Sequence, residues 1–139
     1  MEPTTPRGRP ALERFSRQAV AAEEVWGLEG PDGFAVCEAN GVEGAPVLLF
    51  WAEAKDARAA LPVFGAGYEL AWISLFDLLF RWLPEMAEDG VLAGPDWTPD
   101  LNGPEIAPLS LLHELQRAMP QEMVNAYELR LEEEMSFED

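Results

Sequence analysis

The segment VWGLEGPDGFAVCE, residues 25–38, sets two short β-prone runs on either side of Gly30-Pro31-Asp32-Gly33. Proline presets φ for a turn and glycine permits positive φ, so the segment predicts a β-hairpin. Asn40-Gly41 marks a second turn, and Pro46 to Trp51 then reads PVLLFW. An unbroken apolar run of that length suits a strand covered on both faces. A three-stranded meander is the simplest arrangement of these pieces. Further out, Tyr68 to Ile73 is aromatic and β-branched and predicts a fourth strand. VLAG at 91–94 is a candidate fifth.

The intervening pieces are helical in pattern. Leu12, Phe15, Ala19 and Ala22 recur at spacings of three and four, predicting a helix over 11–24 behind Pro10. Good helix formers fill 52–61, and Pro62 should stop them. Ser74 and Asp77 match a capping box, and Leu75, Leu79, Trp82 and Met86 extend one stripe beyond it, with Pro84 expected to end or kink the helix over 74–83. Residues 95–104, rich in proline, read as a loop. Leu111, Leu112, Leu115 and Met119 then form a stripe up to Pro120. Beyond it, Met123, Tyr127 and Leu131 recur every four residues.

These elements predict an α+β fold. A small antiparallel sheet of about four to five strands is covered by helices in a single domain over 11–119, with the helices at 11–24 and 74–83 on one face. Residues 1–10 are expected to form a disordered arm, and 120–139 a C-terminal helix with an acidic tail. That helix should pack through Met123, Tyr127 and Leu131, either on its own domain or on a second copy, which would make a homodimer.

Composition narrows the function classes. The chain has 139 residues, enough for one domain with a real core, and 48% of them are hydrophobic. Cys37 is its one cysteine and His113 its one histidine. Neither a disulfide nor a standard transition-metal site can be assembled from them within the chain, so no metal and no cofactor are expected. No run approaches the ~20 apolar residues of a membrane helix, and no signal-peptide pattern follows Arg7 and Arg9. A reducing, cytoplasmic location is the expectation. The net charge is −17, and because Arg7, Arg9, Arg14 and Arg17 outnumber Glu2 and Glu13 by two in residues 1–20, the remainder carries −19. Such a surface repels phosphate backbones and anionic lipid and favours a basic partner.

The blocks EVWGLEGPDGFAVCE, PVLLFW, GYE and FRWLPEMAEDGVLAGPDW together resemble a small bacterial family known as domain of unknown function 2750. The resemblance covers about residues 12–110, with Val25-Trp26-Gly27-Leu28 and Trp82-Leu83-Pro84 its more specific parts. It implies a bacterial cytosolic protein and supplies no activity or site residues.

Catalytic signals are sparse. His113 lies between Leu112 and Glu114 on an apolar-patterned helix, and Cys37 has no lysine, arginine or histidine close in sequence, so both read as structural. No glycine-rich phosphate loop precedes Lys55, the one lysine. Asp96, Asp100 and Glu105 could offer oxygen ligands to a hard cation but lack the cadence of a calcium loop. Trp51, Trp72 and Trp82 fall in apolar runs and are expected in the core, whereas Trp26 and Trp97 lie beside turns. The expectation is a non-enzymatic protein-interaction module, adaptor-like or immunity-like, with Trp26, Trp97, Met123, Tyr127 and Leu131 as candidate partner-binding residues. The alternatives are a small hydrolase using carboxylates alone and an acidic mimic of DNA.

Overall fold

The computed structural model describes residues 8–39 and 45–136. The expected arm up to Arg7, the Asn40-Gly41 turn and the last three residues of the acidic tail lie outside that range. In chain order the elements are α1 (Gly8–Ala22), β1 (Glu24–Gly30), β2 (Gly33–Phe34), β3 (Val36–Glu38), β4 (Pro46–Phe50), α2 (Ala54–Phe64), β5 (Glu69–Ser74), α3 (Leu75–Asp77), a π-helical segment (Leu78–Trp82), α4 (Leu83–Asp89), β6 (Leu92–Pro95), α5 (Pro108–Ala118) and α6 (Gln121–Ser136). The fold is α+β. Gly8 to Pro10, expected in the arm, form the first turn of α1.

The strands form two three-stranded sheets, ordered β2-β1-β5 and β3-β4-β6. The hairpin over 25–38 is present, with Glu29 opposite Phe34 and Gly30 opposite Gly33. Gly33 has φ of 121°, which a side chain would resist. The second arm of this hairpin changes partner at Ala35. Its amide donates to Leu28 O at 2.8 Å, while its own oxygen accepts from Leu49 N at 3.4 Å. From there on, β3 pairs with β4 in the register Val36–Leu48, Cys37–Val47, Glu38–Pro46. The sheets meet again where Trp26 and Trp51 exchange both backbone bonds, at 2.7 and 2.8 Å.

One expectation needs correcting: the sheet is not antiparallel throughout. β6 runs parallel to β4, from Val47–Leu92 to Phe50–Pro95. A parallel neighbour requires a long crossover, and the chain supplies one through α2, β5 and the helix beyond it. Pro62 does not stop α2, which continues to Phe64; so near the C-terminus, the bond lost to proline weakens only the last turn.

β4 divides the interior into two cores. Val47, Leu49 and Trp51 join Leu28, Ala57, Ala60 and Trp97 on the side covered by α2. Leu48 and Phe50 join Leu12, Phe15 and Ala19 of α1, then Leu75, Phe76, Leu78, Leu79 and Leu83, and Leu111 and Leu115 of α5 on the other. Helices α1 and α3 thus share one face, as the sequence predicts. α6 closes the larger core from outside. Tyr127 is 8% exposed, packs edge-on against Phe76 at 5.5 Å, and donates its hydroxyl to Glu23 Oε1 at 2.6 Å. Burial, that bond and the Glu23 charge together raise the phenol well above its ordinary range.

Two substitutions test this packing. Tyr127→Phe keeps the ring and loses a bond to a charged acceptor, so it is expected to destabilise by about 1.5–3 kcal/mol in urea titration. Ser16, 3% exposed on α1, has no hydrogen-bond partner for its hydroxyl among the described residues. Ser16→Ala is expected to raise the melting temperature by a few degrees, because a buried unpaired hydroxyl is unfavourable by about 1–3 kcal/mol.

Candidate binding groove

The helix that follows β5 begins as its sequence dictates, with the Asp77 amide donating to Ser74 Oγ at 3.1 Å. Pro84 has no N–H to return to Phe80. Rather than breaking, the helix widens over Leu78–Trp82, and the Leu83 amide reaches back five residues to Leu78 O. It then runs on to Asp89, where Gly90 closes it in the left-handed conformation at φ 73°. Expanded turns of this kind gather at functional positions. Here the turn carries Trp82 onto Phe34 and Phe50, edge to face, with centroids 4.8 and 5.9 Å apart.

Beside Trp82 lies an open groove of about 350 Å³. Val36 and Leu48, opposite one another across β3 and β4, form its floor, and Trp82, Met86 and Val91 its walls. Val36 remains 48% exposed. Three charged residues stand on the rim: Arg81, Glu85 and Asp89. Arg81 is already engaged by Asp77 at 3.5 Å and by Glu134 of α6 at 3.1 Å. Glu85 and Asp89, one turn apart and exposed, have no ion-pair partner among the described residues. Asp89 also stands at a helix C-terminus, whose dipole adds negative potential of the same sign. The groove therefore presents an apolar floor and an unneutralised anionic edge.

None of the residues expected to bind a partner lines this groove. Trp97 does lie beside a turn, but it is 2% exposed and so offers almost no surface to a partner. Its indole donates to Pro104 O at 2.7 Å and its carbonyl accepts from the Trp51 indole at 2.9 Å. Gly94 and Gly103 leave the space it fills, since a Cβ at either would strike the ring. Tyr127 is buried and Met123 and Leu131 are partly buried, all three against the chain's own core, so that stripe is not a free surface. Trp26 is half-buried at the junction of the sheets. Trp72, expected inside, is instead 58% exposed on β5, with its indole donating to Glu24 Oε1 at 2.8 Å. Strand alternation turns Ile73 inward and Trp72 outward. The groove residues had a partial signal in the sequence: Trp82, Glu85, Met86 and Asp89 follow at helical spacing. The exposure of Val36 had none.

The remaining chemical candidates separate in space. Among the described residues no group of three or more His, Cys, Asp or Glu converges as metal ligands would. In the loop after β6, Asp100 is exposed and Glu105 buried. Asp96 turns inward, at φ 53°, and its carboxylate accepts from the Ala52 amide at 3.0 Å. Burial pushes its pKa up to about 6, with the Asp56 and Glu53 charges adding to the rise and the Ala52 bond and Arg14 opposing it. Burial likewise raises the Cys37 thiol, leaving it protonated and a poor nucleophile. His113 is exposed on α5.

A family-wide sequence comparison matches residues 12–115 to the family described as "Protein of unknown function (DUF2750)". The chain belongs to this family. No curated protein matches the chain. All groove residues, from Val36 to Val91, fall within the DUF2750 stretch, whereas α6 lies beyond it.

Asp96 supplies a pH test. Its pKa rises from 3.8 to about 6 on folding, so the native state holds the proton more tightly and stability falls as pH climbs through about 4 to 6. Asp96→Asn keeps an acceptor for Ala52 and tolerates the left-handed φ. It is expected to exceed the parent by roughly 1–2 kcal/mol at pH 7 and to match it near pH 4, measured by urea midpoints.

Proposed function

We propose that this protein is a non-enzymatic interaction module, adaptor-like or immunity-like, that works in the bacterial cytoplasm and holds a basic segment of a partner protein in the Trp82 groove. The observation that carries the reading is the pairing of an apolar floor, Val36, Leu48, Trp82, Met86 and Val91, with two unneutralised carboxylates, Glu85 and Asp89. Lysine and arginine fit such a surface because their methylene stems lie on apolar atoms while their heads reach carboxylates. The chain charge of −17 supports the same choice, since it speeds encounter with cationic partners and slows encounter with anionic ones. The bacterial setting is what the family resemblance implies, and the single cysteine fits a reducing compartment.

A fluorescent heptapeptide alternating arginine and valine serves as the probe. Double charge reversal, Glu85→Lys with Asp89→Lys, alters only exposed positions and is expected to preserve the fold by circular dichroism. It should slow peptide association tenfold or more at about 0.01 M salt, where the Debye length is about 30 Å, and much less near 1 M, where it is about 3 Å. Equal rates for parent and variant at low salt would overturn the reading.

A further inference from the structure

Among the described residues, β3 has a strand partner on one side only. The Ala39 amide donates to Ala45 O at 2.8 Å, and Ala35 is bonded to Leu28 and Leu49. These bonds fix the parity of the strand. Residues 35, 37 and 39 turn their backbone groups toward β1 and β4, so residues 34, 36 and 38 turn theirs the other way. No strand among the described residues pairs with that outer side, because β2 ends one sheet and β3 the other. An edge of this sort is a template for another strand. It also borders the groove, because Val36 belongs to both.

We infer that the groove takes its partner as an added β-strand along Phe34–Glu38, with lysine or arginine at alternate positions of the incoming segment. The inference rests on the reading of the groove given above and specifies how the segment binds. Side chains of an added strand alternate between faces. Every second one therefore lies on the face of Val36 and Leu48, where its stem crosses Trp82 and Met86 and its head meets Glu85, Asp89 and the exposed Glu38. The intervening residues fall beside half-buried Cys37 on the opposite face and need be no more than small or β-branched. Charge selects this occupant over a second copy of the chain. Two chains of charge −17 would bring Glu38, Glu85 and Asp89 against like charges. The edge carries the protection usual for a sheet rim, being short and bearing Glu38, which repels chance pairing with acidic strands but welcomes a basic one.

The test uses the full chain and two heptapeptides of identical composition, one alternating arginine and valine and one with its arginines in a block. Strand addition predicts at least tenfold tighter binding of the alternating peptide, together with at least tenfold slower hydrogen exchange of the Val36 and Glu38 amides in its presence. Val36→Pro removes an outward amide without taking a bond from the β3–β4 ladder, and should abolish that preference, whereas Val36→Ala should retain most of it. Backbone methylation of the alternating peptide gives a check that needs no protein variant. Methyl groups on one alternate set of amides should abolish binding, and on the other set should not. Equal binding of the alternating and blocked peptides, still sensitive to Glu85→Lys with Asp89→Lys, would overturn strand addition and leave the groove reading standing. Failure of both peptides to bind would overturn both.

Discussion

Burial of β4 on both faces is the constraint around which the other elements are arranged. Val47, Leu49 and Trp51 point into one core and Leu48 and Phe50 into the other, all of them less than a tenth exposed. Each such side chain contributes about 1.5–3 kcal/mol by leaving water. A strand so enclosed cannot leave its backbone groups to solvent, and each must find a partner within the protein. β3 and β6 serve its flanks, β1 takes the end at Trp26–Trp51, and the last amide, at Ala52, is met by the Asp96 carboxylate. The unusual backbone of Asp96 and its raised pKa thus have a structural origin. The carboxyl completes the bonding of a dry strand end, at the expense of its own hydration.

The same enclosure explains where the surface is left open. β4 is sealed by its neighbours, so the vacancy passes outward to β3, a three-residue strand with Val36 half in water. Helix α4 ends at Gly90, and the π-helical turn ahead of it packs Trp82 on Phe34 and Phe50 while Val36 stays 48% exposed beside it. The groove is therefore the gap between a helix held in place by the larger core and a strand held by β4. Its walls belong to well-packed elements, which favours a site formed before its ligand arrives.

Electrostatics act at two ranges. The overall excess of acids is a property of the whole surface and governs encounter, whereas recognition needs particular carboxylates without cations of their own. Arg81 is held by Asp77 and Glu134, and Arg117 and Arg9 converge on Glu114. Glu85 and Asp89 lack such partners among the described residues, and theirs is the charge available at the groove.

Local sequence was sufficient for the hairpin at 25–38, the buried strand PVLLFW, the Ser74 cap and the helical stripes, because turn chemistry and apolar periodicity are properties of neighbouring residues. It also sufficed for the family and the α+β class. It could not say that β6 lies parallel to β4, that the strand 33–38 divides its bonds between β1 and β4 at Ala35, or that Trp97 is buried and Trp72 exposed. Those outcomes depend on residues far apart in the chain: Gly94 and Gly103 make room for Trp97, and Trp72 is left 58% exposed on β5 with its indole on Glu24. Pro84 was legible as a disturbance, but whether the helix would break or widen depended on the packing of Phe34 and Phe50 against Trp82. For the same reason the groove, apart from its helical wall, was not legible. An open strand edge and an unpaired carboxylate are defined by which partners fail to arrive, and only the folded chain decides that.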